Sequence, residues 1–202
     1  MEAIQVLKDE HRVIEQVLDC LEVMAGRCES EGRLEADAAR SAIDFFRVFA
    51  DTCHHGKEEA HLFEMMASRG FSKELGPVAV MLVEHEQGRA RIRGMSEAVD
   101  GAANGEPAAC RAFVENARAY LVLLREHIQK EDDCLFPMAA QALGDADQAA
   151  LAEAFERVER DELGPETHGR YLRIADELAD RFGVARNRLA PDRRHQDCGQ
   201  TP

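Results

Sequence analysis

Apolar residues in the first part of the chain return at alternating steps of three and four. Ile4, Leu7, His11, Ile14, Leu18, Leu21 and Ala25 trace one such seam over about residues 2–28, the a/d pattern that four-helix bundles bury. A second seam, over about 36–67, carries Ile43, Phe46, Phe49 and Ala50 and continues into His54, Glu58, His61 and Met65. Gly26 and Gly32, with the polar residues between them, mark the connection, and Ser68-Arg69-Gly70 stops the second helix. Gly76-Pro77 opens a third, proline being suited to a first helical turn, and Val78, Met81, His85, Gly88, Ile92, Met95 and Val99 repeat the seam. Ala103-Asn104-Gly105 closes it. The fourth helix starts at Pro107 and runs through Phe113, Ala117, Tyr120, Leu124, His127, Glu131, Cys134 and Met138 to about Gln141. Pro137 is expected to kink or fray its last turn. Two further helices, over about 146–163 and 166–182, are separated by Gly164-Pro165. No stretch alternates with period two, so the chain reads as all-α.

Polar residues sit at seam positions where apolar ones are expected, and they repeat. His54 to Phe63 and His127 to Phe136 share one frame: the Leu-Phe pairs align, and with them His54 and His127, Lys57 and Lys130, Glu58 and Glu131. The pair Glu10-His11 is echoed by Glu84-His85. His11 precedes His54 by 43 positions and His85 precedes His127 by 42. The first four helices are therefore two copies of one hairpin, which pack as an up-down-up-down four-helix bundle over residues 1–142. Residues 143–183 read as an appended helical hairpin packed on the bundle, and the basic, polar stretch 184–202 as a disordered tail.

Composition narrows the function. The formal net charge of −14 argues against nucleic acid, whose binding rests on Lys and Arg neutralising phosphates, and against an anionic membrane surface. No apolar run approaches the ~18 residues of a membrane span, and the amphipathic N-terminus has no signal-peptide pattern, so a cytoplasmic location is expected. Six cysteines (Cys20, Cys28, Cys53, Cys110, Cys134, Cys198) show no Cys-x-x-Cys pair and read as small buried thiols; the spacing of Cys53 and Cys134 does not itself support a redox role.

At helical pitch, residues four apart stack on one face, so each His-x-x-x-Glu presents an imidazole and a carboxylate together. Four histidines and two glutamates then converge in the bundle. Six such groups are costly to bury without a partner. They are too many donors for one tetrahedral zinc, no thiolate cluster is present, and calcium or magnesium sites do not use four imidazoles. Imidazole with bridging carboxylate suits iron or manganese, and two ions can be held roughly 3.5–4 Å apart. The natural reading is a pair of iron ions on His11, His54, Glu58, His85, His127 and Glu131, with Glu58 and Glu131 bridging.

This pattern resembles the hemerythrin-like, HHE cation-binding family. The phrases Cys-His-His-Gly-Lys-Glu-Glu, Glu-His-Glu-Gln-Gly-Arg and His-Ile-x-Lys-Glu-Asp-x-x-Leu-Phe-Pro-Met-Ala are similar to those of its bacterial members. The resemblance implies a non-haem di-iron centre, oxo- or hydroxo-bridged, in a four-helix bundle. Members bind O2 reversibly, sense oxygen, handle nitric oxide or peroxide under oxidative or nitrosative stress, or help repair iron–sulfur centres. Two departures stand out: the first copy continues Leu62-Phe63-Glu64 where the family tends to have proline, and oxygen carriers use five histidines with one acidic ligand placed differently.

Around the ligands, His61 and Cys134 occupy equivalent places one turn beyond and are read as lining the pocket. Tyr120 is a candidate donor to bound oxygen species. His55 lies one position off the seam, and Glu59 and Asp132 are placed towards solvent. His168 has two readings, a fifth imidazole completing one iron with Tyr171 nearby as a hydrogen-bond donor, or a polar residue on an exposed first turn. The expected function is binding and reaction of O2, hydrogen peroxide or nitric oxide, as a peroxide- or nitric oxide-reducing oxidoreductase supplied by a separate electron donor. The alternative is a non-catalytic O2 or iron sensor or store, or an iron donor for iron–sulfur repair. Manganese or zinc could replace iron, and the chain is expected as a monomer or homodimer.

Overall fold

The computed structural model describes residues 3–162, 164 and 166–187. Among them are six helices and no strand: α1 Ala3–Glu31, α2 over 36–68, α3 Pro77–Ala103, α4 over 107–142, α5 over 145–162 and α6 Thr167–Phe182. Helix α1 passes through Gly26, where nothing approaches the place of a side chain, and ends three residues later than its seam suggested, at Gly32 in the left-handed region (φ 67°). The positive-φ glycines Gly70, Gly76 and Gly105 mark the other turns of the bundle.

The seams predicted for α1 and α3 are buried as expected, but the buried surface of α1 is wider. Val13, Gln16, Val17, Cys20 and Met24 add a second stripe. It exists because α6 packs along α1 and α2 with Tyr171, Ala175, Leu178, Ala179 and Phe182 in the same core. Helix α5 packs on α1 and the end of α2. On the other side α3 and α4 approach closely: a Cβ on Gly94 would lie 2.7 Å from the Asn116 side chain, and one on Gly101 2.7 Å from Ala109 Cβ.

The apolar interior is in two parts. A large cluster holds Ile14, Phe46, Phe49, Ile92 and Leu124; a smaller one holds Leu7, Leu62, Phe63, Met81, Leu135 and Phe136, closed by Leu151 and Phe155 of α5. On each bundle helix the histidine of the seam lies between the two clusters. A polar layer thus crosses the bundle, insulated from water on both sides.

Helices α2 and α4 are not regular where they cross this layer. π-helical turns occupy Phe46–His55 and Glu58–Leu62 in α2 and Glu131–Leu135 in α4. Such turns, bonded i to i+5, are rare and recur at functional sites. Pro137 follows the α4 turn without ending the helix, which continues to Ala142. Because α2 has wide turns without a proline, Pro137 is not their common cause. Residues 184–187 are tied down: Asn187 donates from its backbone N–H to Gln16 Oε1 (2.5 Å) and from Nδ2 to the Arg12 carbonyl (2.6 Å). The rest of the expected tail, 188–202, lies outside the described residues.

Candidate metal centre

Each bundle helix sends one seam histidine into the polar layer, and each of the four is held from behind by a carboxylate of the preceding helix. The Nδ1 of His54 on α2 lies 3.0 Å from Glu10 of α1, and that of His85 on α3 lies 2.7 Å from Glu59 of α2. His127 Nδ1 on α4 is 3.0 Å from Glu84 of α3, and His11 Nδ1 on α1 is 3.0 Å from Asp132 of α4. The ring closes on itself. An ionised carboxylate only accepts hydrogen bonds, so each Nδ1 is placed to donate its proton outward and each Nε2 is left facing inward as the available ligand atom. Burial opposes a charge on His11, but Asp132 and Glu131 raise its pKa to about 8, so without a cation its Nε2 also holds a proton towards Glu131.

Those Nε2 atoms surround Glu58 and Glu131. Glu131 lies 3.2 Å from His11 and 3.3 Å from His127; Glu58 lies 3.6 Å from His54 and 3.5 Å from His85. Both glutamates are fully buried, and none of their four carboxylate oxygens has a hydrogen-bond partner. Burial pushes the Glu58 carboxyl well above its ordinary range, and the Glu131 carboxylate beside it pushes further in the same direction. His85 and His127 bring two Nε2 atoms within 3.2 Å of one another. Two unprotonated Nε2 atoms at that separation repel unless a cation or a shared proton lies between them. Orphaned carboxylate oxygens facing inward ring nitrogens are the donor set a metal ion requires, and the residues fit it.

Two sets of donors, each with its atoms within 4.8 Å of one another, share Glu58: His11, His54, Glu58 and Glu131 form one, and His55, Glu58, His85 and His127 the other. All six residues of the predicted ligand set are brought together. His55 joins them, contrary to its place off the seam. The wide turn rotates successive residues by less than the 100° of an α-helix, so His54 and His55 both point inward. His55 is 4% exposed and stacks on His85 at 3.8 Å between ring centres. Its Nδ1 faces Asp51 at 3.3 Å, and Arg89 binds both Asp51 (2.9 Å) and Glu59 (2.6 Å), tying together the supports of His55 and His85. Burial, and then the neighbouring imidazoles, hold the His55 pKa well below its usual value, which keeps the ring neutral and able to ligate.

Several expectations are corrected. Glu59 and Asp132 do not face open solvent; they orient His85 and His11. The signal was present in the repeat, since they align with each other and Glu10 aligns with Glu84. His168 is not among the donors around Glu58 and Glu131. It lies against Phe49 and near Glu10 and Cys53, on the outer side of His54, because α6 packs outside α1 and α2. Glu10, Cys53 and His168 are close enough to form a third donor set, but the Lys57 ammonium already supplies the cation there, 2.5 Å from Glu10. Tyr171 donates its O–H to Asp44 (2.8 Å) rather than towards the centre. His61 is half-buried against Phe155 of α5, and Cys134 is exposed beside Met138. Neither falls in a donor set with Glu58 or Glu131. Tyr120 is fully buried, edge-on to Phe46, and its hydroxyl has no partner. Cys20, Cys28, Cys53 and Cys110 are buried free thiols.

The profile of the hemerythrin HHE cation binding domain matches residues 2–139. Proteins of Mycobacterium tuberculosis (strain H37Rv) and Mycobacterium bovis, both described only as uncharacterized, are 22% identical over 174 residues, 86% of this chain and 66% of theirs. The chain thus spans just under two thirds of the length of these relatives. No solved structure gives a significant match. Among the described residues no helix is long and apolar enough to cross a membrane.

Proposed function

Because the chain belongs to the hemerythrin HHE cation-binding family, we propose that it holds two iron ions on the donor sets sharing Glu58 and reacts there with O2, hydrogen peroxide or nitric oxide. The observation that carries this reading is the group of four buried, unpartnered oxygens of Glu58 and Glu131, faced by inward imidazole nitrogens. Iron held by those residues would supply the electrons that reduce a small oxidant.

The protein's own part is positioning and exclusion. The ring of carboxylates fixes the tautomer and orientation of His11, His54, His85 and His127, so little reorganisation is needed when charge changes at the centre. The two apolar clusters keep bulk water away, which strengthens every electrostatic contact inside. Tyr120, two turns before His127 on the same face of α4, carries a buried O–H free to donate to an oxygen atom of a bound oxidant. With a net charge of −14, the chain is suited to a small neutral reactant and not to a phosphate polymer. A separate donor would return the electrons.

The test is metal analysis and visible absorption of aerobically purified protein, followed by peroxide consumption under excess reductant. About two irons per chain and many cycles of consumption are expected. One stable adduct without turnover would replace the oxidoreductase reading with that of a binding or storage protein.

A further inference from the structure

The two copies of the hairpin differ outside the donor layer in one electrostatic element. In each, a lysine three residues after the ligating histidine reaches the glutamate that supports it: Lys57 binds Glu10, behind His54, and Lys130 binds Glu84, behind His127. The Lys130 side chain is 44% exposed. Lys57 has no exposure at all. Its second partner is Glu159 of α5, at 2.6 Å, and Phe155 of the same helix lies under the ammonium at 5.8 Å.

We propose that Glu159 is a positioning residue for the ion of the His11/His54 set, acting through Lys57 and Glu10 on His54. The inference rests on the two-ion reading above. A buried ammonium shared by two carboxylates is pinned between them, whereas one with a single partner is drawn wholly onto it. Glu159 therefore sets how much charge Glu10 retains for the His54 Nδ1–H, and hence the basicity of His54 Nε2. No equivalent carboxylate reaches Lys130 among the described contacts. The appended hairpin thus adds a further difference between two metal positions that already differ in their donors, two imidazoles with Glu58 and Glu131 against three imidazoles with Glu58, and it does so from the α5 side of the bundle.

The test is stepwise Co2+ titration of the metal-free full chain against a competing chelator, with the visible d–d spectrum recorded at each step, for wild type, Glu159→Gln and Asp161→Asn. Asp161 is an exposed residue of the same helix paired with Arg160, so its variant controls for the loss of one charge. The expected result is two ions in every protein, with one of the two dissociation constants shifted about tenfold in Glu159→Gln. The spectrum of that ion alone changes, and Asp161→Asn matches wild type. Two ions with both constants and both spectra unchanged in Glu159→Gln, or both shifted alike, would overturn the role of Glu159. So would an equal effect of Asp161→Asn. Wild-type protein taking up fewer than two ions would instead overturn the two-ion reading, and this inference with it.

Discussion

At equivalent places in the two hairpins, Lys57 has no exposed surface and Lys130 keeps 44% of its side chain in solvent, although both bind the glutamate behind an inward-facing seam histidine. His55 and Ile128 are a second such pair: both are buried, but one offers a ring nitrogen to a candidate donor set and the other is a core residue. The donor layer follows from what the copies share, the seam histidines, the two buried glutamates Glu58 and Glu131 and the four supporting carboxylates. What surrounds it follows from where they differ. The first hairpin lies under α5 and α6, so polar groups that would otherwise be hydrated must find partners inside. Among the described residues the second meets α5 only at the end of α4, beyond Lys130, which keeps 44% of its side chain exposed.

The sharpest break of this comparison is Glu58→Gln. Glu58 belongs to both donor sets, so the variant is expected to lose both ions, with metal per chain falling from about two to near zero; Glu131→Gln should affect the His11/His54 set more. Next comes Lys57→Met against Lys130→Met in metal-free protein, measured by denaturant unfolding. Removing Lys57 leaves Glu10 and Glu159 without their cation and should cost about 3–5 kcal/mol, whereas Lys130→Met should cost under ~1 kcal/mol.

A third effect is pH-dependent. Burial lowers the His54 pKa to about 4 in the metal-free chain, against the pull of Glu10. The unfolded chain therefore binds a proton that the folded one refuses. The contribution is complete above the unfolded value near 6.5 and is lost as pH falls towards 4. It amounts to on the order of 3 kcal/mol, and unfolding midpoints measured across that window would show it. Smallest is His55→Ile, which makes the first copy like the second. It should weaken the ion of the His85/His127 set by about ten- to a hundredfold and leave the other ion in place, as read by chelator competition.

How far the sequence could be read follows the same division. Helix positions, the bundle and the convergence of the six candidate donors were legible because the repeat states them twice and a polar residue on a buried seam needs a reason. The supporting carboxylates were half legible: Glu10 and Glu84 repeat, as do Glu59 and Asp132, but which histidine each one faces depends on the neighbouring helix. His55 was hidden because the 3.6-residue pitch places it off the seam, and the wide turn over Phe46–His55 brings it back. The burial of Lys57 and the outward placement of His168 depend on how α5 and α6 dock, which the seams of α1 to α4 do not encode.

The central claim is that two metal positions share Glu58. It is tested most directly by crystallography of iron-loaded protein with anomalous data collected above and below the iron edge. The account predicts two anomalous peaks per chain, one among His11, His54 and Glu131, the other among His55, His85 and His127, both in contact with Glu58. A single peak, or peaks away from these side chains with Glu58 bound to neither, would contradict it.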